Sequence, residues 1–134
     1  MSITRISVLL CSSGVVQTYK NATDGDFWLD LSKRVEEAVK KEHFLHTSTG
    51  KTQHCFYVTS EKDVSYLKNV INTIINSMLT DSAVRKYVMV SASVPDSDEI
   101  TKLKSTYGGD NPEFWTEADK HISADSDVTE KRSV

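Results

Sequence analysis

The spacing of hydrophobic positions changes several times along the chain, and each change marks an element. Residues 3–10, ITRISVLL, form a short apolar run that predicts a strand. Ser-Ser-Gly at 12–14 is turn chemistry and VVQTYK at 15–20 alternates apolar with polar, so residues 3–20 predict a β-hairpin. From Phe27 to about Phe44 the period becomes helical. Trp28, Leu31, Val35, Ala38 and Val39 share one face, Asp26 is the natural N-cap, and Lys40 and Lys41 suit the C-terminal dipole. HTSTGKT at 46–52 reads as a loop and QHCFYVT at 53–59 as a short buried strand.

The strongest helical pattern follows. Ser60 to Asp63 resembles a capping box, and Val64, Leu67, Ile71, Ile74, Ile75 and Met78 form a broad apolar stripe. RKYVMVSASV at 85–94 predicts a strand with Val88, Val90, Ala92 and Val94 on one face and the more polar Met89, Ser91 and Ser93 on the other. That asymmetry suggests a sheet covered by helices on one face only. Ile100 to Leu103 predict a short helix ended by Tyr-Gly-Gly, and 112–122 a last helix with Asn111 as cap and Pro112 at its first position. The expected fold class is α/β (α+β as its variant): a two-layer sandwich on a four-stranded mixed sheet with an N-terminal hairpin, in the order β-β-α-β-α-β-α-α. Residues 1–122 are expected to form one α/β domain and 123–134 a disordered polar tail.

Composition narrows the partners. The 134 residues carry 16 basic and 19 acidic side chains, a formal charge of −3, without the basic excess of a dedicated nucleic-acid binder. Two cysteines, Cys11 and Cys55, make no disulfide framework and are expected as free thiols in a reducing compartment. No apolar run reaches the roughly 18–20 residues that span a bilayer. The expectation is a soluble, cytoplasmic protein with no membrane partner.

Four groups of residues are candidates for chemistry. If the later strands are parallel, the loops at 21–26, 59–63 and 94–99 leave one sheet edge. Asp24, Asp26, Asp96 and Asp98 would then gather where Mg²⁺ supports phosphoryl chemistry, against the plainer reading that Asp starts helices. His43 and His46, three apart on a continuing helix, form a zinc alternative, whereas His54 and Cys55 diverge on a strand. STGKT at 48–52 matches only the end of a P-loop: Leu45 stands where a Gly is required, and the helix precedes the loop. The polar strand face of Tyr87, Met89 and Ser91 is an expected interface, joined by Trp115. Trp115 and Trp28 each follow a Phe just after helix-start residues, and this echo reads as a packing device used twice.

The predicted hairpin, the long helix and then CFYVTSEKDVSYLKNVINTII resemble the plan of longin-like adaptor domains, which place several strands between their first two long helices; one is expected here. The resemblance implies an adaptor function. The residues themselves favour a non-enzymatic binding or regulatory module that acts through protein–protein contacts, as a homo-oligomer and without a cofactor. The alternative is a small-ligand or Mg-dependent phosphoryl-group enzyme at the acidic loops.

Overall fold

The computed structural model describes residues 2–12, 14–39, 43–109 and 111–120. The elements are β1 (Ser2–Leu10), α1 (Gly14–Thr23), α2 (Phe27–Ala38), β2 (His43–Ser48), β3 (Gln53–Ser60), α3 (Val64–Met78), α4 (Ser82–Arg85), β4 (Val88–Ser93) and α5 (Ser97–Tyr107). Residues 112–120 are helical and are termed α6. The tail expected at 123–134 lies outside the described residues.

The four strands lie in the order β2-β3-β1-β4, and every neighbouring pair is antiparallel. β3 and β4 therefore run the same way but are separated by β1, and β1 and β2 run the same way with β3 between them. These are two interleaved split β-α-β units. The α/β two-layer class holds, with α1, α2 and α3 on one face of the sheet. The mixed sheet does not: each crossover skips one position and meets a strand of opposite direction.

The N-terminal hairpin is also corrected. Residues 14–23 form α1, because Val15 and Tyr19, four apart, bury on one side while Gln17 Nε2 donates to Asn21 Oδ1 at 2.8 Å. Ser12 Oγ accepts from the Gly14 N–H, so the turn-like Ser-Ser-Gly opens a helix. A six-residue alternation fits a strand, but the i, i+4 spacing within it fits a helix equally well. The hairpin lies instead at β2 and β3. The helical period expected to reach Phe44 ends at Ala38, where Val39 caps α2, and HFLHTS pairs as a strand. With the opening hairpin replaced by a strand and α1, the chain departs from the longin-like plan at its start.

The main core lies between the sheet and α1–α3. Ile6 and Val8 of β1 and Phe56 and Val58 of β3 pack against Phe27, Leu31 and Val35 of α2 and Leu67, Ile71 and Ile75 of α3. Asp26 caps α2 as expected, accepting from Leu29 N, whereas the helix start expected at Ser60 falls at Asp63, because Ser60 ends β3; Asp63 accepts from Tyr66 N, and Asp96 caps α5, accepting from Glu99 N.

The opposite face is partly covered, contrary to the one-sided expectation. α5 and α6 place Ile100, Leu103, Phe114, Trp115 and Ala118 over Ile3, Leu45, Cys55 and Tyr57. Arg5 on β1 fixes this layer, donating to Glu99 of α5 and, at 2.9 Å, to Ser93 Oγ.

Phe56 is fully buried at the centre of β3. Phe56→Ala is expected to destabilise the fold by about 3–5 kcal/mol, the cost of an aromatic-sized cavity. Equilibrium urea unfolding checks this, and a loss under about 1 kcal/mol would contradict the packing described.

Candidate functional site

β4 is an edge strand, paired only with β1. The Cys11 N–H donates to the Tyr87 carbonyl at 2.7 Å, continuing that register. Stepping by two residues, Met89, Ser91 and Ser93 exchange bonds with β1, while Val88, Val90 and Ala92 turn their N–H and C=O outward. Among the described residues nothing accepts or donates to these outward groups. From Val88 to Val94 the strand has no charge and no proline, and its register with β1 has no bulge. Native edges are ordinarily blunted by one of these devices. Its flanks are uncovered: Tyr87 is 42% exposed, Met89 57% and Val94 61%.

The other edge, β2, is treated differently. Its outward Phe44 carbonyl accepts from Asn111 Nδ2 at 3.1 Å, and His43 Nδ1 lies 3.7 Å from the Glu113 carboxylate. The segment leading into α6 thus lies along β2.

A second feature lies at the turn end of the β2–β3 hairpin. A cavity of about 650 Å³ is walled by Leu10, Val16 and Trp28, with Asp26, Ser48, Lys51, Thr52 and His54 as its polar side chains. Trp28 stacks on His54 with centroids 3.8 Å apart and 6° between planes, and its indole N–H donates to the Lys51 carbonyl. In the hairpin register Ser48 faces His54 and His46 faces Phe56, so the two histidines are diagonal neighbours on one face. The Ser48 hydroxyl donates to the Gly50 carbonyl at 3.0 Å, so its oxygen accepts from His54 Nε2 at 3.3 Å. That places the His54 proton on Nε2 and makes Nδ1 the acceptor for His46 Nε2–H at 2.7 Å. Both rings are neutral. Burial first, then the neighbouring His46, depresses His54 from 6.5 to about 4, and burial also lowers His46.

The sequence-derived residues are dispersed. His43 and His46 lie in β2, where residues three apart point to opposite faces, so they do not converge on a zinc ion. Asp24 and Asp26 sit at the end of the sheet where β1 finishes, and Asp96 and Asp98 at the end where β4 finishes, roughly the length of β1 apart. β3 and β4 run the same way, so the loops after them do share an end; the 21–26 loop does not join them because the expected strand at 15–20 is α1, which starts where β1 finishes. No group of three metal-ligating side chains is found among the described residues. Trp115 is only 4% exposed and donates its indole N–H to the Tyr107 carbonyl, so it anchors α6 and presents no surface to a partner. Tyr87, Met89 and Ser91 do lie on or beside the open edge.

The His46–His54 pair was missed because 46–52 reads as a loop. The available signal was symmetry: His46 and Ser48 before the Thr-Gly-Lys-Thr turn, His54 and Phe56 after it, all of one parity. Cys11 is exposed and Cys55 buried, and neither is bridged.

No family model, curated protein or solved structure matched this chain. Among the described residues no helix is long and apolar enough to cross a membrane.

Folded His54 binds a proton only near pH 4, whereas the unfolded chain binds it near 6.5. The unfolded state therefore holds more protons between those values, and stability falls as pH drops from about 6.5 towards 4, with no contribution above 7. Urea midpoints at pH 7, 6 and 5 are expected to fall more steeply in the native protein than in His54→Gln. Equal slopes, together with an NMR titration of His54 near 6.5, would refute the buried pair.

Proposed function

We propose that this chain is a non-enzymatic binding module of regulatory type that acts through protein–protein contacts at the β4 edge. The observation that carries this reading is the uncharged strand with three residues' backbone groups turned outward. Each such group gains a hydrogen bond when another strand is added, and the alternate side chains supply specificity. The exposed Tyr87 and Met89 are residue types enriched at interfaces. The reading needs no cofactor and no nucleic-acid partner. It places the protein in the cytoplasm, where the exposed Cys11 thiol stays reduced.

A second reading is favoured by the cavity over Trp28 and His54, whose apolar walls and few polar groups suit a small ligand. Asp26 is the one acidic-loop candidate that reaches it. A ligand of this cavity is expected to raise the melting temperature of the native protein and not of Trp28→Ala. Equal shifts in the two proteins would dismiss the cavity.

Ala92→Pro tests the edge reading, since it removes one outward N–H and leaves the β1 ladder intact. Met89→Lys provides a second block on an exposed side chain. Both are expected to weaken partner capture at least tenfold, with circular dichroism and urea midpoints close to native. Undiminished capture by both variants would overturn the proposal.

A further inference from the structure

We infer that the strand which completes β4 is the β4 of a second copy of this chain, paired antiparallel about a two-fold axis at Ser91. The inference rests on the edge reading above and names its partner.

Three constraints converge on this register. The first is hydrogen bonding. Only Val88, Val90 and Ala92 turn their backbone groups outward, so even-numbered residues must face even-numbered residues. The second is the face of the sheet. Val88, Val90 and Ala92 all point to the helical side, and opposed residues of the same parity keep both helical layers on that side. The third is charge. Arg85 and Lys86 precede the strand, while Asp96 and Asp98 follow it. Antiparallel pairing brings the basic start of one copy to the acidic end of the other.

Centring on Ser91 sets Val90 opposite Ala92 and Val88 opposite Val94, and brings the helical turn that carries Lys86 toward the Asp96 end of the other copy. Moving the centre to residue 90 sets the exposed Val94 beyond the partner's strand, against the helical turn at Lys86, and leaves it uncovered. Moving it to residue 92 places Val88 against Asp96, an apolar side chain against a carboxylate. The chosen register also covers the exposed side chains: Val94 meets Val88 on the helical side, and Met89 meets Ser93 on the other. Such an interface is isologous, each contact occurring twice.

Ser91 is exposed and meets only its own copy across the axis, which makes it the diagnostic position. At about 100 μM, sedimentation velocity is expected to give the native protein twice the mass of one chain. Ser91→Lys and Ser91→Glu each oppose like charges and are expected to sediment as single chains. Their equimolar mixture is expected to restore the double mass as a one-to-one heterodimer in native mass spectrometry. Ser91→Cys on a Cys11→Ser background is expected to cross-link to itself on mild oxidation, and Ser93→Cys, which faces Met89, is not. These variants sit at exposed or half-exposed strand positions, and the cysteine pair reports the register even if the charged variants fold poorly.

A native protein that sediments as one chain, a mixture that stays monomeric, or preferential cross-linking at residue 93 overturns the inference. If the native protein is a monomer and Ala92→Pro still abolishes capture of a different protein, self-pairing alone fails and the edge reading stands. If Ala92→Pro changes neither self-association nor capture, the edge reading fails as well.

Discussion

The structure depends on β1 being sandwiched between β3 and β4. Like β3, it bonds on both sides over most of its length, and its Ile6 and Val8 are almost wholly buried beneath the helices. That placement forces β3 and β4, which share a direction, to be non-adjacent. It stretches α3 across the sheet from the end of one to the start of the other and leaves β4 on the outside. It also separates the two acidic loops, since β1 and β4 finish at opposite ends. The strand order thus accounts for the exposure of the β4 edge, and the helical α1 for the displacement of Asp24 and Asp26.

The second face is held by fewer and more local contacts. The Arg5 guanidinium joins Glu99 on α5 to Ser93 at the end of β4, and the Tyr57 hydroxyl lies 3.5 Å from the same carboxylate. The two Phe-Trp pairs work alike on the two faces. In each the Phe ring is fully buried, the Trp ring meets it edge-on at about 5 Å, and the indole N–H bonds to a distant backbone carbonyl. The echo in the sequence is thus one packing solution used for α2 and again for α6. Trp28 also borders a cavity.

Elements with long, consistent patterns were legible in the sequence. The stripe of α3, the two-faced pattern of β4 and the Asp26 cap lie where the spacing puts them, because each is set by burial of a local face. Short segments were less so. VVQTYK satisfies both periods over six residues, and the choice fell to Val15 and Tyr19 reaching a core that only the assembled sheet provides. HFLHTS carries no strong signal of its own and becomes a strand by pairing with β3. Adjacency of strands was not legible at all, since a β-α-β crossover reads the same whether or not it skips a position. The candidate residues followed the same division. Tyr87, Met89 and Ser91 could be placed on or beside one strand from its alternation, whereas bringing His46 and His54 together required the hairpin register.

The Asn111 side chain on the Phe44 carbonyl is a small contact with a consequence for stoichiometry. A sheet with two bare edges can add copies at both ends, and nothing in its geometry stops the growth short of a filament. Here the Asn111 amide occupies one outward carbonyl of β2, whereas among the described residues no such contact is made to the outward groups of β4. In the two-fold pairing proposed above, the edge that each copy would leave to solvent is the one Asn111 partly covers. On that proposal assembly would stop at two, and loss of the Asn111 amide would matter less to the single chain than to the count at which association stops.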